Sequence, residues 1–247
     1  MMKRMMIYTL LLTMVAAVGC KENEIALYDQ SPRLEFAGMS GGSAYSVLCT
    51  FDDTDYLNAY VLGGATEKEY ETSVQVIGML LDTPRTFCVQ SQPHEESAFD
   101  VGIRCINPGS VAAGSSTASA HIAVTCPDRT KASSRNRDVT GISLLTFDTS
   151  SPSHQFEPGR EEHMSSRVFV TLQVYPSDWN SEQWGLYSSS KYILMMETFK
   201  TVHSQIPRTT ETLLEIRRAY LLDYKPKYGP LYGDDERSDE EITFPQP

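Results

Sequence analysis

The chain has 247 residues, 40% of them hydrophobic, with 21 lysines and arginines against 32 aspartates and glutamates for a formal net charge of −11. That balance excludes nucleic acid as a partner, because phosphate contacts require clustered Lys and Arg. The length allows one or two domains, each with enough core to fold independently.

Lys3 and Arg4 precede an apolar run, Met5–Gly19, that ends in small side chains, the pattern of a cleavable signal. It is shorter than the ~20 apolar residues of a spanning helix. Ala17-Val18-Gly19-Cys20 resembles a bacterial lipobox, with Ala17 where Leu is usual, and implies cleavage before Cys20 and acylation of that residue. Residues 1–19 are therefore predicted to be a lipoprotein signal peptide and 20–33 a lipidated tether closed by Ser31-Pro32. Several acyl chains anchor firmly at ~0.8 kcal/mol per buried methylene. Lys21, Glu22 and Glu24 follow the cysteine at once and resemble the surface-export signal of Bacteroidetes lipoproteins. The alternative is an anchor that faces the periplasm. Loss of residues 1–19 would leave 228 residues and a net charge of −13.

From Leu34 the apolar period is two, which reads as strands. Tyr45, Val47, Cys49 and Phe51 alternate with polar residues, as do Val74 and Val76. Phe87 and Val89, then Ile122, Val124 and Cys126, then Leu144 to Phe147 and Val168 to Val174 continue the pattern. About seven short strands between Gly, Pro, Asp and Ser turns predict an antiparallel β-sandwich over 34–176, with no helical stretch inside it.

Residues 177–247 read differently, as an aromatic linker, C-terminal helices and an acidic tail. PSDWNSEQWGLY is turn-rich, and Ser188–Ser190 can cap a helix. Tyr192, Met195, Met196, Phe199 and Val202 then share one helical face. Thr212 and Glu215 have capping-box spacing before a second stripe of Leu213, Ile216, Tyr220 and Leu221. Asp234–Glu241 reads as a solvated acidic run.

Tyr28, Leu34-Glu35-Phe36, YETSVQVIGML, PGSVAAGSSTASAHIAV, WGLYSSSKYILMMETF and the closing EITFP together resemble a Bacteroidetes lipoprotein family catalogued as domain of unknown function 4843. The resemblance spans nearly all of the chain after the signal, with the Lys131–Arg137 loop departing from it. It implies an immunoglobulin-like or Calx-beta-like sandwich followed by a small helical region. It also implies a surface lipoprotein of the kind encoded beside SusC/SusD-type glycan uptake systems. It carries over no catalytic residue.

The remaining constellations are weak. Gly38-Met39-Ser40-Gly41-Gly42 fits G-x-S-x-G, but a nucleophile elbow needs a helix after the serine, and a strand is expected there. His94-Glu95-Glu96 and Glu161-Glu162-His163 lack zinc-site spacing and read as surface loops. Asp52, Asp53 and Asp55 offer oxygens without the register of a calcium loop. Cys49, Cys88, Cys105 and Cys126 have three pairings open to them and read as buried free thiols. No carboxylate pair can be nominated as glycosidic from sequence alone. Trp179, Trp184 and Tyr187 either present rings to a sugar or pack the sandwich against the first helix.

The expectation is a non-enzymatic outer-membrane surface lipoprotein with no cofactor or metal, assisting capture or uptake of an extracellular nutrient such as a glycan. Its expected partners are the outer membrane through the lipid, and a glycan or SusC/SusD-type components. A structural or adhesive protein contacting others through its sandwich is the alternative.

Overall fold

The structure, a computed structural model, describes residues 31–38, 46–134 and 137–246. The signal peptide, Cys20, Lys21, Glu22, Glu24, Tyr28, Tyr45 and the Met39–Gly42 part of the candidate elbow lie outside the described residues.

The described strands are β1 (Arg33–Phe36), β2 (Val47–Phe51), β3 (Glu67–Ile77), β4 (Arg85–Phe87), β5 (Val89–Pro93) and β6 (Ile103–Ile106). After them come β7 (Gly109–Val111), β8 (Thr117–Thr125), β9 (Ala132–Ser133), β10 (Thr140–Phe147), β11 (Glu157–Pro158) and β12 (Ser165–Gln173). One sheet has the order β11-β1-β3-β8-β6; the other runs β2-β12-β10-β5, with β9 also on β12. β4 and β7 form a separate ladder.

Alternation is the physical cause of the sandwich. Val47, Cys49 and Phe51 turn inward while Leu48 and Thr50 are exposed, and β10 and β12 alternate in the same way. Leu34, Phe36, Val74, Val76, Ile122 and Val124 share one core with Leu145, Phe147, Val168, Val170 and Leu172. Phe36 and Phe147 stack with centroids 4.4 Å apart. The chain is thus a mostly-β sandwich with a small helical region.

The sandwich is not wholly antiparallel as expected. β2 and β9 run parallel to β12, and β11 runs parallel to β1. The partners come from distant parts of the chain, so the long connections that parallel pairing needs are present.

A helical segment also interrupts the strands, contrary to the sequence reading: α1 (Asp53–Tyr56) runs into a π-turn at Leu57–Val61. Asp52 caps it, accepting from the Asp55 N–H, and the Asp55 carboxylate accepts from the Asp52 N–H in return. The acids weighed as calcium oxygens are therefore engaged in folding: Asp52 and Asp55 form a capping box, and Asp55 also pairs with Lys68 at 3.0 Å.

Buried charge fastens the first strand. Glu35 is fully buried on β1 and accepts from the Arg160 backbone N–H at 3.0 Å, its Nε at 3.1 Å, and Gln75 Nε2 at 2.6 Å. Burial alone would raise the Glu35 carboxyl, but these donors and the guanidinium charge outweigh it and hold it at about 2.

Past the sandwich come α2 (Ser181–Trp184), α3 (Ser189–Phe199), α4 (Thr210–Arg218), a π-turn at Ala219–Tyr224 and α5 (Lys225–Tyr228). Pro32–Pro247 is one compact unit, so the change at 176–177 is a change of secondary structure within it. Tyr187, Tyr192, Ile193 and Met196 complete the sandwich core. Trp184, Leu194, Met195, Ile206, Leu213, Ile216, Tyr220, Ile242 and Phe244 form a second core. Leu221 was expected on the buried stripe but is exposed. The wider π-turn shifts the phase of the helix after Arg218 and carries it outward.

Candidate functional site

The site grows from the segment between the last strand and α3. Asn180 accepts from the Glu182 and Gln183 N–H groups at 3.0 and 3.1 Å and starts α2. That short helix ends at Gly185, whose φ of +76° suits glycine. Trp179 is partly buried, donates from Nε1 to the Gly185 carbonyl at 2.9 Å, and meets the Tyr187 ring edge-on at 5.2 Å. Tyr187 is fixed by its hydroxyl, which donates to the Val174 carbonyl at 2.7 Å.

The tail returns to close the other wall. Asp234 accepts from the Ser189 N–H and hydroxyl, both at 2.8 Å, at the start of α3. Burial raises its carboxyl above the ordinary aspartate value against the pull of those two donors. Asp235 takes the Ser134 hydroxyl at 2.7 Å, and Arg237 Nη2 donates to the Tyr187 carbonyl at 2.7 Å. The acidic run is thus partly a structural clasp, not simply a solvated face. Trp179, Ser181, Tyr187, Asp234, Asp235, Glu236 and Arg237 line an open cleft of about 510 Å³.

Two supports stand behind this cleft. Lys191 is buried, and its ammonium donates to the carbonyls of Trp184 (3.0 Å), Leu186 (2.7 Å) and Thr243 (2.6 Å). It also lies 5.0 Å over the Phe244 ring. Burial, with Arg237 adding to it, lowers its pKa to about 8. The second support is His203, stacked on Trp179 at 5.3 Å. Its Nδ1 lies 3.0 Å from Asp178 Oδ1, and its backbone N–H donates to the Tyr192 hydroxyl at 2.9 Å. The Tyr192 hydroxyl donates in turn to Asp53 at 2.6 Å. Burial depresses the His203 pKa, more than the Asp178 carboxylate raises it.

The structure sorts the sequence candidates. Trp179 and Tyr187 come together in the cleft, whereas Trp184 has no exposure and sits in the second core. As a stacking platform Trp184 is corrected: its ring fills the space between α3 and the tail. His163, read as surface loop, is buried with Nδ1 3.3 Å from the Phe36 carbonyl. His94 stays in its loop, accepting from the Glu96 N–H. Cys49, Cys88 and Cys126 are buried free thiols, and Cys105 is free and partly buried. Burial pushes Cys49 and Cys126 up to about 12, which disfavours their thiolate forms. Among the described residues no group of three or more His, Cys, Asp and Glu is placed to hold a metal. Sequence reading missed Ser181, Asp234, Asp235, Glu236 and Arg237. Their proximity to Trp179 arises only when the tail folds back.

No family model matches the chain, and no curated protein does. Among solved structures it is similar to an apo-form Calx CBD1 domain, at 15% identity and a TM-score of 0.34, covering 58% of this chain and 98% of that one. It is similar to a putative carbohydrate binding protein from Bacteroides ovatus ATCC 8483 at 10% identity and a TM-score of 0.33, covering 56% and 36% of the two chains. A third is the sialic acid binding region of a Streptococcus sanguinis SK1 adhesin, at 10% identity and a TM-score of 0.26, covering 84% and 42%. The chain spans less than half the length of the last two. At these scores the fold rests on the strand order itself.

Proposed function

We propose that this chain is a lipid-anchored surface protein that binds extracellular carbohydrate without transforming it, as an accessory to capture or uptake. The observation that carries this reading is the Trp179–Tyr187 cleft. It sets aromatic surface beside the Ser181 hydroxyl, three carboxylates and the Arg237 guanidinium. A sugar ring presents apolar C–H faces and a rim of hydroxyls, which suits that combination. The lipobox at Cys20, the acidic step Lys21-Glu22-Asn23-Glu24 and the resemblance to the family of unknown function 4843 support placement at the outer-membrane surface beside SusC/SusD-type components.

Trp184 is fully buried, so a change in tryptophan emission on adding glycan reports Trp179. A glycan panel should include a ligand that shifts emission saturably. Trp179→Ala should weaken that ligand about tenfold or more, a loss of ~1.4 kcal/mol. Silence across the panel rejects the reading. Cys20→Ala should move the protein from the membrane to the soluble fraction, and retention on the membrane would reject the anchor.

The adhesive alternative has its own observation. Among the described strands β2 ends its sheet, and Leu48 on it is 72% exposed, an edge that an extended segment of another protein can join. That reading requires no response to sugars, so the same panel separates the two.

A further inference from the structure

We infer that the Trp179 cleft selects amino sugars, those with a free ammonium group, and turns away acidic ones. The inference rests on the carbohydrate reading above and adds to it the charge of the ligand.

The tail sets that charge. Asp234, Asp235, Glu236 and Arg237 line the cleft with Trp179 and Tyr187, three carboxylates against one guanidinium. Arg237 is engaged within the wall: Nη2 donates to the Tyr187 carbonyl at 2.7 Å, and its charge acts on the Asp234 carboxyl. Asp234 in turn is held by the Ser189 N–H and hydroxyl. Asp235 and Glu236 are left as the net charge of the lining.

Both can receive a ligand. The two Asp235 oxygens lie 2.8 and 2.7 Å from the Ser134 hydroxyl, which has a single proton to give, so acceptor capacity remains. That bond and a left-handed backbone at φ +53° fix where the carboxylate sits, in a region that Asp enters more readily than most side chains. Glu236 is exposed beside it. The charges just beyond do not reverse the sign. Asp178 pairs with Arg208 at 3.2 Å, and Glu182 follows Ser181. The Arg137 N–H donates to the same Ser134 hydroxyl, and Asp138 comes next in the chain.

An amino sugar answers each part of this lining. Its ring has an apolar face for Trp179, and its ammonium brings three donors for the two carboxylates. A uronic or sialic acid meets like charge there, on a chain whose net charge is already −11, and such a repulsive element is an effective source of specificity.

Two measurements on the full chain test the selection, and the first needs no sugar. Trp184 is fully buried, so quenching of tryptophan emission by small ions reports Trp179. With each ion scaled to free N-acetyltryptophanamide at a constant ionic strength of ~0.1 M, caesium should quench better than iodide. Glu236→Lys should lower that ratio, whereas Glu95→Lys, the same charge change at an exposed residue outside the lining, should not. Iodide quenching that equals or exceeds caesium overturns the inference, as does an equal shift from Glu95→Lys.

The second measurement titrates tetramers of glucosamine, N-acetylglucosamine, glucose and glucuronic acid joined by one linkage. The glucosamine tetramer should bind roughly fivefold tighter than its N-acetylated counterpart, and Glu236→Gln should narrow that gap. In ~1 M salt, where screening acts over ~3 Å, the preference should fall away. A glucuronic acid tetramer that binds as tightly as the glucosamine one overturns the selection and leaves the carbohydrate reading standing. Silence of these tetramers and of the wider glycan panel rejects the carbohydrate reading, and this inference with it.

Discussion

Replacing Lys191 with Met should lower the melting temperature by roughly 6–12 °C, measured by calorimetry or circular dichroism at pH 7. The carbonyls of Trp184, Leu186 and Thr243 lose their shared donor. Unmet buried acceptors cost ~1–3 kcal/mol each, partly offset by relief of burying a cation, for a net of about 3 kcal/mol. The pH dependence isolates the ammonium. Its folded pKa of about 8 lies below the ordinary 10.5, so between those values the unfolded chain holds a proton that the folded chain has released. Wild-type stability therefore rises relative to Lys191→Met as pH climbs from 8 to 10.5, by up to about 3 kcal/mol. Buried Tyr56 and Tyr192 and partly buried Tyr70, all raised by desolvation, lower stability above pH 10 in both proteins and cancel in the difference. A flat difference over that window would show that Lys191 titrates as a solvated lysine.

Glu35→Gln should cost about 2–3 kcal/mol, because charge-assisted bonds from Arg160 and Gln75 become neutral ones around a fully buried group. The sign with pH is the same as for Lys191, since both folded pKa values are lowered, but the window is acidic. A carboxyl held at about 2 instead of 4.5 contributes stability that is present above pH 4.5 and lost as pH falls toward 2. Half-exposed Arg160 is screened by water, so the pH-dependent part is about 1–2 kcal/mol. Urea melts at pH 3 and pH 6 check it: the gap between wild type and Glu35→Gln should narrow at pH 3. An unchanged gap rejects an ionised Glu35.

The long strands were legible because Val47–Phe51, Val74–Val76, Ile122–Val124 and Val168–Leu172 alternate over a shared core. β9 and β11, of two residues each, are too short to show any period. α1 escaped because its acids looked like metal oxygens, and a four-residue helix that runs straight into a π-turn leaves no helical stripe to read. The burial of Trp184, Lys191 and His163 was invisible for another reason: it depends on which segment folds over them. Trp179 and Tyr187 were found by residue type, but the opposite wall of the cleft lies about fifty residues further along the chain. Only the folded tail shows that the two belong together.

The parallel pairing of β2 with β12, Val47 beside Val168, has a consequence for how the molecule is made. A ribosome or a membrane channel delivers residue 47 long before residue 168, so the central sheet cannot zip up while the chain is still emerging. The sandwich must wait for its last strand, and contacts of such long range slow folding. A chain that locks only near completion stays unlocked for most of its synthesis.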